Sequence, residues 1–146
     1  MIISIAADHA GYKLKERIKK YLEKKGHTVI DLGTHHPEAA DYPDYAHPLA
    51  FSVENKESEF GISLCGSGNG INMTVNKHQG IRSALCWNVE IAELARRHND
   101  ANVCAIPARF VSDDLAFKIL DKFLSTSFDG GRHQIRIDKI PFKKQQ

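Results

Sequence analysis

A cysteine followed by a glycine-rich loop is the most reactive pattern in this sequence. Cys65 ends an apolar run, and the five residues after it read Gly-Ser-Gly-Asn-Gly. Glycines let backbone N–H groups converge, and a helix starting behind them adds the positive end of its dipole. Such surroundings favour a thiolate, and the same amides can hold an oxyanion or a phosphate. Although most cysteines are structural core residues, as we predict for Cys86 and Cys104, the loop makes Cys65 a predicted catalytic residue.

Three known kinds of site do not fit the spacing of this loop. A dinucleotide site needs G-x-G-x-x-G, whereas these glycines alternate as G-x-G-x-G. A nucleophile elbow in its cysteine form needs glycine two residues before and two after the nucleophile, where Ser63 and Ser67 stand. A cysteine phosphatase pattern, C-x5-R, needs arginine where Ile71 stands. All three are therefore excluded.

Further polar residues follow the other apolar runs. Asp8 and His9 come after the first run, Arg109 comes after the last, and His98 and Asn99 end a predicted helix. Several also have a structural interpretation. Asp8 and His9 could simply cap a helix, because aspartate is a good N-cap, and a histidine on an apolar helix face, such as His98, is often a partly buried packing residue. The sequence alone leaves these alternatives open.

No metal site is predicted. His35 and His36 lie in an acid-rich loop, but no third ligand stands near them at metal-binding spacing.

The elements that must position these residues alternate along the chain. Five strand-like runs alternate with five segments of helical period, which predicts an α/β fold: a single-domain, doubly wound, five-stranded parallel sheet in a Rossmann-like three-layer sandwich. The predicted strands are 2–7, 28–32, 60–64, 81–86 and 103–106; the second and third helices are 44–55 and 71–77, and a tail begins at 132. Ligands bind such sheets at the carboxyl ends of the strands.

The composition narrows the class of protein. The 146 residues, 42% hydrophobic and 26% charged, predict one globular domain over 1–146. A net charge of +2 is too small to indicate nucleic acid binding. The start of the chain has no signal-peptide pattern, and no apolar stretch is long enough for a membrane span. Three cysteines without a C-x-x-C pair predict reduced thiols in a cytoplasmic protein.

Taken together, these motifs resemble the ribose-5-phosphate isomerase B family, which also includes the galactose-6-phosphate isomerase subunits. The matching motifs span nearly the whole chain: DHAG at 8–11, DxGT at 31–34, DYP at 41–43, CGSGxG at 65–70, NK at 76–77, GIR at 80–82, HNDxN at 98–102 and GGRH at 130–133, with Arg136 following. Two departures are minor, because Ser67 keeps the hydroxyl of the usual threonine and Pro48 only interrupts a helix.

The resemblance implies a homodimer, often paired into a tetramer, with each active site at the subunit interface. It implies that Cys65 moves the proton between C2 and C1, while Asp8 and His98 assist ring opening and Ser67 also belongs to the catalytic set. The implied substrate-binding residues are His9, Tyr42, Gly66, Gly68, Asn69, Gly70, Asn99, Arg109, Arg132 and Arg136.

The chemistry also fits the residues without the resemblance. Aldose–ketose isomerisation removes a carbon-bound proton beside a carbonyl, which a thiolate can do, and stabilises an enediolate, which convergent amides can do. A histidine that titrates near neutrality suits the opening of a furanose ring. No step needs a metal or a cofactor. Two alternatives stay open: an isomerase of allose or galactose 6-phosphate, and a non-catalytic phosphate- or nucleotide-binding module.

Overall fold

The computed structural model describes residues 1–143, so the last three residues of the predicted domain lie outside the described part. Five parallel strands form one sheet in the order β2-β1-β3-β5-β4. The strands are β1 Ile2–Ala7, β2 Thr28–Asp31, β3 Phe60–Cys65, β4 Ser83–Leu85 and β5 Val103–Pro107. The prediction of a doubly wound, five-stranded parallel sheet is therefore confirmed.

Helices cover both faces of the sheet. They are α1 Tyr12–Lys24, α2 Tyr42–Glu54, α3 Asn69–Val75, α4 Val89–Asn99, α5 Asp113–Ser125 and α6 Arg132–Ile137. One apolar cluster joins the sheet to α1, α4 and α5, and a second joins it to α2 and α3. The buried central strands read as continuous apolar runs because both of their faces are covered.

Two helix starts follow directly from the sequence. The side chain of Asn88 accepts a hydrogen bond from Ile91 N at 2.8 Å, and Ser112 Oγ accepts one from Leu115 N at 3.1 Å. Each oxygen satisfies an N–H group that has no partner within its helix. Asparagine and serine are residue types favoured at this position, so the sequence accounts for where α4 and α5 begin.

Two predicted helix starts are wrong, one short helix was not predicted, and strand β4 is shorter than the predicted 81–86. Helix α2 begins at Tyr42 rather than 44, because Asp41 holds the extended backbone of an N-cap and Pro43 fits the first turn. Helix α3 begins at Asn69, directly after the left-handed Gly68 (φ +78°). The predicted tail instead contains α6, which is so short that it leaves no periodic pattern in the sequence.

The direction of α4 decides where its last residues lie. A helix that crosses over between parallel strands runs back to the amino edge of the sheet. Helix α4 ends at Asn99, and Asn102 accepts a hydrogen bond from Arg82 N, just before β4, at 2.8 Å and from Gly61 N, at the start of β3, at 2.9 Å. The end of α4 therefore lies at the amino edge, whereas Cys65 lies at the carboxyl edge.

A buried ion pair joins α1 to the end of β2. Lys15 Nζ is fully buried and lies 2.9 and 2.7 Å from the two carboxylate oxygens of Asp31. Asp31 also accepts the Gly33 N–H at 3.0 Å. Burial acts to raise the pKa of Asp31, but the hydrogen bonds from Lys15 and Gly33 outweigh it, so this pKa is lowered from its ordinary value. The pair fixes the start of the loop that leads to α2.

We expect Lys15→Met to lower the free energy of unfolding by about 3–5 kcal/mol, because it leaves a buried carboxylate without its partner. Urea denaturation measures the change. Lys19→Met is the matched control, since Lys19 reaches the same carboxylate only at 3.6 Å and is partly exposed. A carboxyl group whose pKa is lower in the folded than in the unfolded state stabilises the fold at pH values above its unfolded pKa. This stability is lost as the pH falls through the folded pKa. On acidification, Lys15→Met should therefore lose less free energy of unfolding than the wild type loses. The prediction would be contradicted if the substitutions Lys15→Met and Lys19→Met lowered the free energy of unfolding by equal amounts.

Candidate functional site

An open cleft of about 910 Å³ lies at the carboxyl edge of the sheet. It is bounded by the segments that follow β1, β3 and β5 and by the start of α2. Eight residues predicted from the sequence line it: Asp8, His9, Tyr42, Cys65, Gly66, Ser67, Gly70 and Arg109. The cleft thus brings together the predicted base, the glycine loop and two of the predicted phosphate ligands.

Cys65 is held rigidly at this cleft by the sheet. It is the last residue of β3 and pairs in register with Pro107 of β5. Its carbonyl accepts the Ala108 N–H at 3.0 Å. Its side chain is mostly buried yet lines the cleft. The thiol is therefore held in a fixed position where a small substrate in the cleft can reach it.

The loop after Cys65 packs closely against two side chains. Arg109 N donates to Gly66 O at 3.0 Å, and a Cβ at Gly66 would lie 3.0 Å from the Arg109 guanidinium. A Cβ at Gly70 would lie 2.5 Å from the ring of Tyr42. The glycines therefore allow a guanidinium and an aromatic ring to approach the loop backbone.

The turn after β1 presents a carboxylate and an imidazole. Asp8 Oδ1 accepts hydrogen bonds from Ala10 N at 2.9 Å and Gly11 N at 3.2 Å, so it orders the turn before α1. His9 Nδ1 lies 3.1 Å from both the N and the O of Ala40. In either tautomer this contact leaves Nε2 as the ring nitrogen available to the cleft.

Six predicted site residues do not line this cleft. Two of them, Gly68 and Asn69, belong to the glycine loop itself; the other four are His98, Asn99, Arg132 and Arg136. His98 and Asn99 end α4 at the amino edge of the sheet, and both arginines lie on α6, which packs against α4. The six residues of β3 separate the two edges by roughly 17 Å. One chain therefore does not bring these residues to Cys65.

The residues around His98 at the amino edge include two that the sequence did not predict as site residues. His133 stacks on His98 with ring centroids 4.4 Å apart and an interplanar angle of 11°. Asp129 has a carboxylate oxygen within 4.8 Å of a nitrogen of each ring. The sequence offers little signal for the contacts of His98, because His98 and His133 are far apart along the chain.

Phe110, exposed at the rim of the cleft, was also not predicted as a site residue.

His98, Asp129 and His133 are also the one group of this kind, among residues 1–143, that could hold a metal ion. No ligand spacing in the sequence indicated it. Parallel stacked rings do not direct two nitrogen lone pairs at one point, and Asp129 already pairs with Arg97 at 3.1 Å. Arg132 and Arg136 add positive charge nearby. The geometry and charge of this group fit a divalent cation poorly.

Within residues 1–143, no helix has both the length and the apolar character needed to cross a membrane.

Comparisons with known proteins agree with one another. The family model described as Ribose/Galactose Isomerase matches residues 3–140. Ribose-5-phosphate isomerase B of Escherichia coli is 42% identical over 144 residues, which cover 99% of this chain and 97% of that protein.

Two solved structures are similar to this chain along almost their whole length. The crystal structure of a ribose 5-phosphate isomerase from Thermotoga maritima has a TM-score of 0.95 at 51% identity, covering 96% of this chain and 97% of that one. Ribose-5-phosphate isomerase B from Mycoplasma genitalium, with ribulose-5-phosphate bound, has a TM-score of 0.91 at 45% identity, covering 95% and 93%.

Proposed function

The chain belongs to the Ribose/Galactose Isomerase family, and we propose that it interconverts ribose 5-phosphate and ribulose 5-phosphate through an enediolate, with Cys65 as the base. The observation that carries the proposal is the cleft in which a thiol, a glycine loop, an imidazole and a guanidinium meet. Both similar solved structures are of enzymes named for ribose 5-phosphate.

The proton transfer needs one base that serves two adjacent carbons. The Cys65 thiolate removes the proton from C2 of the open aldose and returns it to C1, while the proton of the C2 hydroxyl is transferred to the C1 oxygen, which leaves the carbonyl at C2. The backbone N–H groups of residues 66–70 and the Ser67 hydroxyl are the donors for the enediolate oxygen. One such donor contributes about 3 kcal/mol in other enzymes.

The phosphate needs polar and positively charged groups in the cleft. His9 supplies an imidazole and Arg109 a guanidinium from the same chain as Cys65. We assign Arg132 and Arg136 of a second copy to the same phosphate. Tyr42 and the partner copy's Asn99 would contact the sugar hydroxyls.

A second copy of the chain is part of this proposal. Ribose 5-phosphate arrives mostly as a closed furanose, so an acid and a base must open its ring before proton transfer. Asp8 lies in the cleft at the carboxyl edge of the sheet, but His98 lies at the amino edge, roughly one strand length away. A two-fold dimer that brings the α4–α6 face of one copy to the cleft of the other supplies His98. Exposed Phe110 and Tyr42 at the cleft rim give this contact an apolar border.

We also propose that the protein is located in the cytoplasm. Cys65, Cys86 and Cys104 are buried free thiols, which is the cysteine usage typical of a reducing compartment.

The test is turnover of the purified protein, dialysed against EDTA, on ribose 5-phosphate, allose 6-phosphate and galactose 6-phosphate. We expect ketose formation to be fastest on ribose 5-phosphate and unchanged by EDTA, because no step uses a metal. Faster turnover of a hexose phosphate would support the alternative sugar specificity. Thermal stabilisation by nucleotides without any turnover would instead support the binding module. Activity that is lost in EDTA and restored by a divalent metal would overturn the metal-free mechanism.

A further inference from the structure

The imidazole of His133 forms a platform beneath His98. The two rings are nearly parallel, with their centroids 4.4 Å apart. His98 stands in the last turn of α4, and His133 is a buried residue in the first turn of α6. A polar side chain on so short a helix could be exposed to solvent. The burial of the His133 ring against the ring of a proposed catalytic residue is therefore a specific arrangement.

The charges around this stack keep His133 neutral. Burial lowers the pKa of His133, and the positive charges of His98, Arg132 and Arg136 lower it further. Asp129 acts in the opposite direction, but its carboxylate is already paired with Arg97, whose nitrogens lie 3.1 and 3.2 Å from it. Two positive charges on parallel rings with centroids 4.4 Å apart would repel each other, which also favours the neutral form of His133.

We propose that His133 is a positioning residue for His98: its neutral ring fixes the plane of the His98 imidazole and faces the charge that His98 carries when it is protonated during ring opening. A neutral aromatic face attracts a cation placed over it. The stack also sets the direction in which the His98 nitrogens point. This inference rests on the proposed function, in which His98 takes part in opening the furanose.

The chemistry of the two sugars separates ring opening from proton transfer. Ribose 5-phosphate closes a furanose through its O4. Ribulose 5-phosphate would need its O5 to do so, and O5 carries the phosphate, so the ketose is an open chain. Exchange of its C1 proton with deuterated solvent therefore reports the Cys65 step without ring opening. Isomerisation of ribose 5-phosphate reports both steps.

The experiment measures both rates for the wild type, His133→Asn and His133→Phe. We expect His133→Asn, which removes the platform, to lower kcat on ribose 5-phosphate by about tenfold to a hundredfold, the range that misplacement of a reacting group causes. Its KM and its C1 exchange rate on ribulose 5-phosphate should stay close to the wild-type values. His133→Phe restores a flat neutral ring and should recover most of the lost kcat. Gln134→Ala, an exposed neighbour on α6, is the control.

Each outcome decides the proposal. It is overturned if His133→Asn leaves ribose turnover unchanged, if it slows exchange and isomerisation equally, or if His133→Phe is as impaired as His133→Asn. Should His133→Asn fail to fold, judged by its thermal melt, His133→Phe decides alone: normal turnover supports the platform and lost turnover rejects it. Failure of the proposed function would show earlier, because the wild type itself would then not convert ribose 5-phosphate.

Discussion

Cys65→Ala will lower kcat on ribose 5-phosphate by about 10²- to 10⁴-fold, the contribution that a positioned general base makes to a proton transfer. Its KM should stay within about tenfold of the wild type, because the thiol moves a proton and does not hold the phosphate. Coupled detection of ribulose 5-phosphate under saturating and limiting substrate measures both parameters. The variant should fold normally, since its neighbours in β3 and β5 are held by backbone pairing.

Alkylation gives an independent measure of the same residue. Iodoacetamide should inactivate the enzyme by reacting at Cys65, and ribose 5-phosphate should protect it. Cys86 and Cys104 are fully buried, and burial together with a hydrogen bond that the Cys104 thiol shares with Cys86 raises the pKa of Cys104 well above its ordinary value. Both should therefore stay unlabelled, and Cys104→Ala is the matched variant that should keep its activity. Substantial turnover by Cys65→Ala would reject the thiol as the base.

The parts of the cleft that follow single strands were predictable from the sequence. Each strand is an apolar run, and in a parallel sheet the residue after every run lies at the same edge. For this reason the sequence alone places Asp8, Cys65 and Arg109 together, and all three line the cleft. The glycine loop was equally visible, because a left-handed residue such as Gly68 and the close contact of Gly70 with Tyr42 both require glycine.

The residues around His98 were not predictable in the same way. The place of His98 at the end of a crossover helix does indicate the amino edge, but neither its residue type nor its place in the chain shows what it contacts there. Helix α6 has too few residues to show a period, and only its packing on α4 brings His133 onto His98. Contacts that depend on packing between short, distant segments leave no local pattern.

The separation of the two edges leads to the prediction that tests the dimer. Cys65→Ala and His98→Asn homodimers should each be nearly inactive, because each removes one group from every site. When the two are unfolded together and refolded, about half of the dimers should contain one chain of each kind. In such a dimer one site carries both substitutions and the other carries neither. Roughly a quarter of the wild-type activity should therefore return.

A second mixture is the matched control for this prediction. Cys65→Ala mixed with Asp8→Asn should stay inactive, because both residues line the cleft of the same chain and every site in the mixed dimer then keeps one lesion. Differently tagged copies and size-exclusion chromatography establish that subunits have exchanged in both mixtures. Recovery in the first mixture but not in the second assigns His98 to the partner copy. If neither mixture recovers although exchange is established, His98 does not complete the site from across a dimer interface, and ring opening must then rest on groups within one cleft, with Asp8 and His9 as the nearest.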